Sequence, residues 1–314
     1  MSRQHRVARV ACLTLGTLRD RARVEACTAS GSAEFLTAVP TENELSLCNL
    51  DMQLAVRLRL GMKSAGDRVW CRRCQRQVDS DCDHAHCCRG NSTIRHNRLR
   101  DLFYTLLQRA GFDALTEQEE PSLRHRPDLR VSHGLAPTPP YLDVSVTHAI
   151  APSANLRRNA EGPDAATRAA WDDKFAREYA PLPPRMAFRL LPAVCTSYGG
   201  WHPATRRFLQ ECAARVAAAN AALPCSDTLA RGVLQGWVTR LSVGVQRENA
   251  AMVRRCVGAD GAFGLDTHWS EGPSLLWEQT CMSCACEDLG GGSDDDDDAA
   301  SLLEAASVAD RARQ

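Results

Sequence analysis

The feature that most constrains this chain is a cluster of cysteines and histidines between residues 71 and 88. Five of the protein's fifteen cysteines and two of its nine histidines fall in this short stretch. Cys71 and Cys74 form a Cys-x2-Cys pair, and His84 and Cys88 follow after nine residues, with three residues between them. This spacing is typical of a tetrahedral zinc site built from a tight turn and the start of a helix. Because four protein ligands leave no open coordination position, we predict a structural zinc ion in a zinc knuckle.

Some ligand choices within this cluster stay open. Cys82, His86 and Cys87 are further candidates, and the spacing does not decide between Cys87 and Cys88. The alternative to metal binding is a set of free thiols, since no secretory signal favours a disulfide framework. A second group has no clear histidine partner, so metal binding there is the weaker alternative; it consists of Cys281, Cys284 and Cys286.

Charge and hydropathy limit the class of partner. The formal net charge is zero, but residues 281–314 hold nine acidic side chains and two arginines, which leaves 36 basic against 29 acidic side chains in residues 1–280. A basic body with an acidic tail is compatible with nucleic-acid binding. No stretch of about 18 apolar residues occurs, so we expect no membrane partner.

The pattern of hydrophobic periods and turn residues divides the chain into six segments. A helix is predicted from Asn49 to Leu60, with Asn49 as its cap and Gly61 at its end. The last segment contains a Gly/Ser stretch and five consecutive aspartates, which indicate a solvated, disordered tail. The segments are a disordered or loosely held N-terminus (1–34), a helical linker (35–68), the zinc knuckle (69–92), a core (93–224), a C-terminal helix packing on the core (225–258) and a low-complexity acidic tail (259–314).

The core segment alternates between helical and strand patterns. Periodicity predicts the core elements as a helix at about 93–110, strands at about 113–118, 127–132 and 141–148, a helix at 165–180 and a strand at 187–196. Two more helices, at about 203–222 and 228–256, follow. The order αβββαβ predicts an α/β fold with a small mixed sheet.

Two aspartates in neighbouring predicted strands suggest a catalytic metal site. Asp128 follows Pro127 at the start of one strand, and Asp143 lies fifteen residues later inside the next. A hairpin can bring both carboxylates to one end of the sheet, where they and the Val144 carbonyl would suit Mg²⁺ or Mn²⁺. Such an ion lowers the pKa of a bound water and neutralises charge on a phosphodiester. An aspartate after proline is also a common turn residue, so the pair by itself is only suggestive.

A cation near these carboxylates would complete the site. Lys63 and Lys174 are the only lysines, against 36 arginines, and Lys174 lies on the helix that follows the Asp143 strand. We predict Lys174 as the catalytic cation; the alternative is a solvated i,i+4 pair with Glu178. Basic residues that open the first core helix suit phosphate contacts, although a solvated helix face is the simpler explanation. The predicted nucleic-acid contacts are Arg95, His96, Arg98, Arg100 and Arg126.

Taken in order, these pieces resemble the C-terminal region of non-LTR retrotransposon proteins that carry a restriction-enzyme-like, PD-(D/E)xK endonuclease. The resemblance covers about residues 35–255, and the ordered set is specific where no single motif is. Besides the knuckle, the matching pieces are Phe35 to Pro40, Arg57 to Gly61, Arg95-His96-Asn97, Arg126 to Leu129, Leu142 to Thr147, Lys174 with Tyr179, Arg240 to Val243 and Gln246 to Ala250.

The resemblance implies a restriction-endonuclease-like core in which Asp128 and Asp143 bind Mg²⁺ or Mn²⁺ and Lys174 is a displaced catalytic lysine. It also implies a zinc knuckle that helps to grip nucleic acid, DNA as the first partner with RNA as the second option, and a nuclear location. Ser145 stands where many such nucleases have their lysine, and no Tyr-x-Asp-Asp polymerase strand is present. We therefore expect a fragment or derivative of such an element.

Three functions follow from these patterns. The first is a metal-dependent endonuclease that nicks one DNA strand. The second is a catalytically inactive, zinc-containing nucleic-acid-binding protein. A plain structural or interaction protein is the third. Retention of Asp128, Asp143 and Lys174 favours the first, and Ser145 favours the second.

Overall fold

The structure, a computed structural model, describes seven stretches of the chain: residues 16–66, 69–117, 126–132, 141–151, 154–181, 190–220 and 226–258. Residues 1–266 form one compact unit and residues 267–314 a second, and every described residue belongs to the first. The predicted acidic tail and the cysteines at 281, 284 and 286 lie outside the described residues.

The first described element is helix α1, Leu18–Thr28. Thr17 and Asp20 form a capping box, in which each side chain accepts a hydrogen bond from the other's backbone N–H. The small residues Ala22 and Ala26 are buried in an apolar cluster of the core. The prediction of a loosely held N-terminus is therefore wrong for residues 16–34, because α1 has both a cap and a buried face.

The linker and the knuckle contain short elements. Two 3-10 turns, Glu34–Leu36 and Asn43–Leu45, precede helix α2, Asn49–Leu60. This helix ends as predicted, because Gly61 adopts a left-handed conformation with φ of 67° and donates its N–H to the last turn. Its N-cap is Cys48 rather than Asn49, and no side chain caps it. Helix α3, Asp83–Cys87, follows within the knuckle.

The core elements follow the predicted order, with one short helix added. The helices are α4 (Arg89–Arg109), α5 (Leu156–Asn159), α6 (Ala165–Lys174), α7 (Pro203–Ala219) and α8 (Ser226–Val257). A π-helical turn, Phe175–Tyr179, continues α6 without a break. The strands are β1 (Asp113–Thr116), β2 (Leu129–Ser132), β3 (Tyr141–Thr147) and β4 (Leu190–Thr196).

The four strands form one mixed sheet in the order β1-β2-β3-β4. β1 with β2 and β2 with β3 are antiparallel, whereas β3 and β4 are parallel and are joined by the crossover through α5 and α6. The α/β fold with a small mixed sheet is thus confirmed. β3 is an inner strand, so its residues Tyr141 to Val144 are buried.

The core lies where α4 and α7 pack against the sheet and α8 packs against both of these helices. Its largest fully buried side chains include Phe103 of α4, Leu142 of β3, Leu241 of α8 and Trp201, which lies between β4 and α7. α6 packs against β3 and β4. Among the described residues, no helix has the length and apolar character needed to cross a bilayer.

Candidate metal centres and nuclease site

Two acidic side chains lie at the point where β2 begins. β2 and β3 pair with Leu129 opposite Leu142, and one further step of this register sets Asp128 opposite Asp143. Residues directly opposite in antiparallel strands project from the same face of the sheet. Asp128 and Asp143 are only 8% and 7% exposed, and Oδ2 of Asp128 accepts the N–H of Val144 at 2.6 Å. The sheet therefore holds two buried carboxylates beside each other.

The Asp143 carboxylate binds two side chains, one from the last residue of α6 and one from the end of the π-helical turn. Nζ of Lys174 lies 2.6 Å from Oδ1 of Asp143, and the Tyr179 hydroxyl donates to Oδ2 at 2.6 Å. Burial, together with the neighbouring carboxylate, raises the pKa of Tyr179 well above its ordinary value, so this hydroxyl keeps its proton. Glu178 is farther from the ammonium group, at 3.9 Å. Lys174 therefore faces the carboxylates rather than standing on a solvated face, and both oxygens of Asp143 are occupied.

The π-helical turn explains how Lys174 and Tyr179 reach the same carboxylate. In an α-helix, residues five apart point about 140° away from each other, because each residue turns the chain by about 100°. Here the N–H of Ala180 donates to the carbonyl of Phe175, five residues back, at 2.8 Å. This wider turn brings positions five apart closer to the same side of the helix than an α-helix does. The local backbone thus sets both side chains on the face that meets β3.

The other carboxylate has a histidine partner. Nε2 of His96, on α4, lies 2.9 Å from Oδ1 of Asp128. This hydrogen bond, together with the negative charges of Asp128 and Asp143, raises the pKa of His96, although burial and Lys174 act against the rise. The sequence had placed His96 among the nucleic-acid contacts. Its position adds it to the carboxylate group, which the sequence did not predict.

The predicted basic contacts have different environments. Arg95 is 3% exposed and donates to the Asn249 side chain and to the His86 carbonyl, and burial lowers its pKa. The prediction that Arg95 contacts nucleic acid is therefore wrong, because its guanidinium is enclosed between α4 and α8. Arg98 is exposed. Arg100 and Arg126 both pair with Glu117.

The start of α4 shows that the predicted basic contacts do not open the helix, as the sequence suggested. The helix begins at Arg89 instead of near residue 93, so the predicted contacts Arg95, His96, Arg98 and Arg100 lie in its second to fourth turns. These side chains are too far from the free backbone N–H groups of the first turn for one phosphate to contact both. Any phosphate contact there depends on the side chains alone.

The Cys/His cluster forms a compact group of possible metal ligands. The ligand atoms of Cys71, His84, Cys88 and Cys256 all lie within 4.8 Å of one another. Sγ of Cys71 is 3.9 Å from Sγ of Cys88 and 2.9 Å from Sγ of Cys256. A Cys/His cluster that could bind a metal is therefore present, with Cys88 rather than the exposed Cys87 in it. Sequence spacing did not reveal Cys256, which lies at the end of α8.

Cys74, the fourth predicted ligand, lies beside this group. Its Sγ is 3.1 Å from Nε2 of His84, but it is exposed and does not belong to the compact set. The other spare candidates also stay outside the set: Cys82 is buried, and the His86 ring lies tilted against the ring of His148, with centroids 4.9 Å apart. The knuckle thus offers five nearby donors for the four positions of a tetrahedral ion.

Hydrogen bonding prepares one thiol of this group for metal. Burial acts to raise the pKa of Cys71, but hydrogen bonds from Cys256 and from backbone groups outweigh it and bring the pKa to about 6. Burial raises the pKa of Cys88 to about 11. Because metals bind the thiolate, this lowered pKa favours metal binding by the Cys71 sulfur.

A buried polar network joins the knuckle to the core. Nδ1 of His148 lies 2.6 Å from Oγ of Ser197, and its Nε2 lies 3.0 Å from Oδ1 of Asp83, which also pairs with Arg19. The residue types are those of a serine hydrolase. All three are nevertheless at most 5% exposed, so the Ser197 hydroxyl is closed to a substrate. The network is a structural link between α3 and the ends of β3 and β4.

Comparison with known proteins does not add a name to these sites. No protein-family model matches the chain, and no curated protein matches it significantly. The basis for a function is therefore the two side-chain clusters, the carboxylate group of Asp128 and Asp143 and the thiol group around Cys71.

Proposed function

We propose that this protein is a metal-dependent endonuclease that nicks DNA, with a restriction-endonuclease-like core and a structural zinc knuckle. The observation that carries the proposal is the convergence of Asp128, Asp143 and Lys174 where β2 begins. Two carboxylates and an ammonium on one face of a sheet supply the charges that phosphodiester hydrolysis requires. They come from three separate elements, so their convergence is a property of the tertiary fold.

The donor chemistry of the carboxylate group fits Mg²⁺ or Mn²⁺. Asp128 and Asp143 offer hard oxygen ligands and are buried, which favours a compact divalent ion over solvent. When bound, such an ion supplies an acidified water and neutralises phosphate charge. Lys174 contacts Oδ1 of Asp143 and His96 contacts Oδ1 of Asp128, and a divalent cation would compete with them for these two oxygens. Tyr179 would keep its bond to Asp143 and hold the orientation of that carboxylate.

Lys174 has a second role in this proposal. If a divalent ion took its place at Asp143, its ammonium would remain beside the carboxylate group, because Lys174 ends helix α6, which packs against β3. There it can orient a water or stabilise the developing negative charge. Ser145, two residues after Asp143, has no charge with which to do this.

Exposed arginines outside this group would hold the DNA. Arg98 is exposed on α4, and the Arg126 side chain is half exposed beside Glu117. The knuckle loop adds Arg73 and Arg76, which are exposed and which the sequence reasoning did not select. Cations of this kind bind phosphates without reading sequence, so we expect affinity that falls with salt.

The zinc proposal rests on the soft donors of the knuckle. Thiolate sulfur and imidazole nitrogen select Zn²⁺ over Mg²⁺ or Ca²⁺. The group has more than enough ligands to fill a tetrahedral ion, so we propose a structural role for the zinc.

An inactive nucleic-acid-binding protein is the second candidate function. Two observations favour it: Ser145 replaces the usual lysine, and hydrogen bonds within the protein already satisfy the carboxylates. This candidate predicts DNA binding without cleavage.

A plasmid-nicking assay on the full chain decides between these functions. We expect supercoiled DNA to be nicked only with Mg²⁺ or Mn²⁺, Asp128→Asn and Asp143→Asn to abolish nicking, and Lys174→Met to slow it about 100-fold or more, the scale of a positioned electrostatic group. The matched controls are Lys63→Met, at the only other lysine, and Asp173→Asn, at an exposed acid next to Lys174. Both should keep wild-type rates. Unchanged nicking in Asp143→Asn would indicate a contaminating nuclease, and metal-independent DNA binding without nicking would favour the second candidate.

A further inference from the structure

The end of the C-terminal helix α8 lies against the zinc knuckle. We propose that Cys256, the penultimate residue of α8, is a ligand of the zinc ion, so that the metal joins the knuckle to the C-terminal helix. This inference rests on the zinc site proposed above and adds to it a ligand 185 residues away in the chain from Cys71. It changes the site from a local knuckle into a cross-link of the whole fold.

The distances between ligand atoms carry the first part of the argument. In a tetrahedral site with zinc–sulfur bonds of about 2.3 Å, two sulfurs stand about 3.8 Å apart. Cys71 and Cys88 already have this separation, 3.9 Å. Cys256 lies 2.9 Å from Cys71, so a metal between them needs the sulfurs to part by about 0.9 Å, which a small side-chain rotation provides. The compact set that meets these conditions contains Cys256 and omits Cys74.

Contacts that do not involve sulfur hold the end of α8 in this place. The carbonyl of Cys256, one of the last in the helix, accepts the N–H of Arg72 in the knuckle loop at 2.7 Å. One turn earlier, the Met252 carbonyl accepts from the Asn91 side chain at 3.2 Å. The same region buries an apolar cluster shared by the knuckle and α8, which includes Val78, Ala85, Val253 and Val257. The thiol is therefore delivered to the site by the packing of the helix.

Burial separates Cys256 from its competitor, Cys74. The Cys256 side chain is fully buried among the other donors, whereas Cys74 is exposed at the edge beside His84. A buried thiol has lost its contact with water and gains most from coordination, while an exposed thiol gives up hydration to bind. On this basis Cys71, His84, Cys88 and Cys256 bind the ion, and Cys74 remains an accessible thiol.

The coordination step balances without any oxidant or reductant. Cys71, Cys88 and Cys256 would bind Zn²⁺ as thiolates, and any of these thiols that is still protonated would release its proton to solvent. His84 binds through a ring nitrogen as the neutral imidazole. No bond between two sulfurs forms, and the zinc keeps its charge state.

Cobalt substitution in the full chain tests the proposal by counting thiolates. Co²⁺ takes tetrahedral thiolate sites, and its sulfur-to-metal charge-transfer absorption grows with the number of thiolates bound. We expect the intensity of three thiolates in the wild type, two in Cys256→Ser, and three in Cys74→Ser. Cys212→Ser, which changes an equally buried cysteine in the core, is the control for the general effect of the substitution and should keep three.

Two further measurements keep the proposal open to refutation if Cys256→Ser folds poorly. Cys256→His preserves a ligand while removing a thiolate, so it should hold one metal per chain with one thiolate fewer. Chelation of wild-type zinc should speed backbone hydrogen exchange at residues 250–257 as well as in the knuckle. A cobalt spectrum that loses a thiolate in Cys74→Ser and none in either Cys256 variant would overturn the Cys256 proposal and leave the predicted knuckle intact. A wild-type chain without metal would instead refute the zinc site itself.

Discussion

At the scale of single residues, His202 couples the start of a helix to protonation. Its Nδ1 accepts the N–H of Ala204 at 3.2 Å and so caps α7, while its ring stacks on Trp171 with centroids 5.3 Å apart. Burial lowers the pKa of His202 to about 4. The neighbouring arginines Arg168 and Arg207 add to this effect, and Asp164 and Asp172 oppose it. Only the neutral ring can accept the capping hydrogen bond.

This capping role predicts a pH dependence with a definite sign. An unfolded histidine has a pKa of about 6.5, so between about pH 6.5 and 4 the unfolded chain binds a proton that folded His202 does not. The stability from neutral His202 is therefore present above this window and is lost as pH falls through it. His202→Asn keeps a capping acceptor but cannot titrate. We expect the difference in free energy of unfolding between His202→Asn and the wild type, measured with urea, to shift in favour of the variant by up to about 2 kcal/mol as the pH falls from 7 to 4. This figure allows for the partial exposure of the ring. Parallel pH curves would contradict this role.

Single residues also show where the sequence reasoning stopped. The pattern that opens α4 identified a basic, helical stretch, and that stretch is helical. It could not tell that Arg95 turns inward, because its partner Asn249 is on α8, 154 residues away. It also could not assign His96 to Asp128, since their contact depends on how α4 lies across the sheet.

At the scale of elements, the periodic segments were predicted well and their local irregularities were not. The helix over 165–180 is present, but its last turn is π-helical, with no proline or glycine in the sequence to mark it. Lys174 was selected because lysine is rare in this chain, whereas the geometry that aims it at Asp143 arises from packing against β3. Hydrophobic periodicity predicts that a helix is present, but it does not predict a π-helical turn within the helix.

Two glycines of α8 provide a matched test of how closely this helix packs. A Cβ atom at the exposed Gly232 would meet no other atom within 4 Å, whereas one at the buried Gly244 would lie 2.6 Å from a methyl carbon of Leu102 on α4. Alanine in place of glycine stabilises a helix interior by about 1 kcal/mol when space allows. We therefore expect Gly232→Ala to raise the free energy of unfolding by about that amount. The free energy of unfolding of Gly244→Ala should be at least about 1 kcal/mol lower than that of Gly232→Ala, because Leu102 must move in a packed core. Equal gains in urea unfolding would mean that α4 and α8 are more loosely packed than described.

At the scale of the whole molecule, the sequence suggested separate consecutive segments, whereas in the structure these segments contact one another. The predicted knuckle and core are joined by Asp83 and His148, and α1 pairs with the same acid through Arg19. α8 reaches back to the knuckle at Cys256. Local spacing identified Cys71 and His84, and it left Cys88 and Cys87 as alternatives, because these residues are close together in the chain. The contribution of a cysteine from 185 residues away depends on the tertiary fold and leaves no local pattern.

The link between Asp83 and His148 predicts that the knuckle and the core unfold together. Both side chains are nearly fully buried, so their interaction is little screened by water and neither has a solvent substitute for the other. In a double-mutant cycle with Asp83→Asn and His148→Gln, we expect a coupling free energy of about 1–3 kcal/mol from urea unfolding. The control cycle uses the exposed pair Asp113 and Ser132, whose side chains are 2.6 Å apart on neighbouring strands, and should give about 0.5 kcal/mol or less. A coupling near zero for the buried pair, or a separate unfolding transition for the knuckle, would show that the two parts are thermodynamically independent.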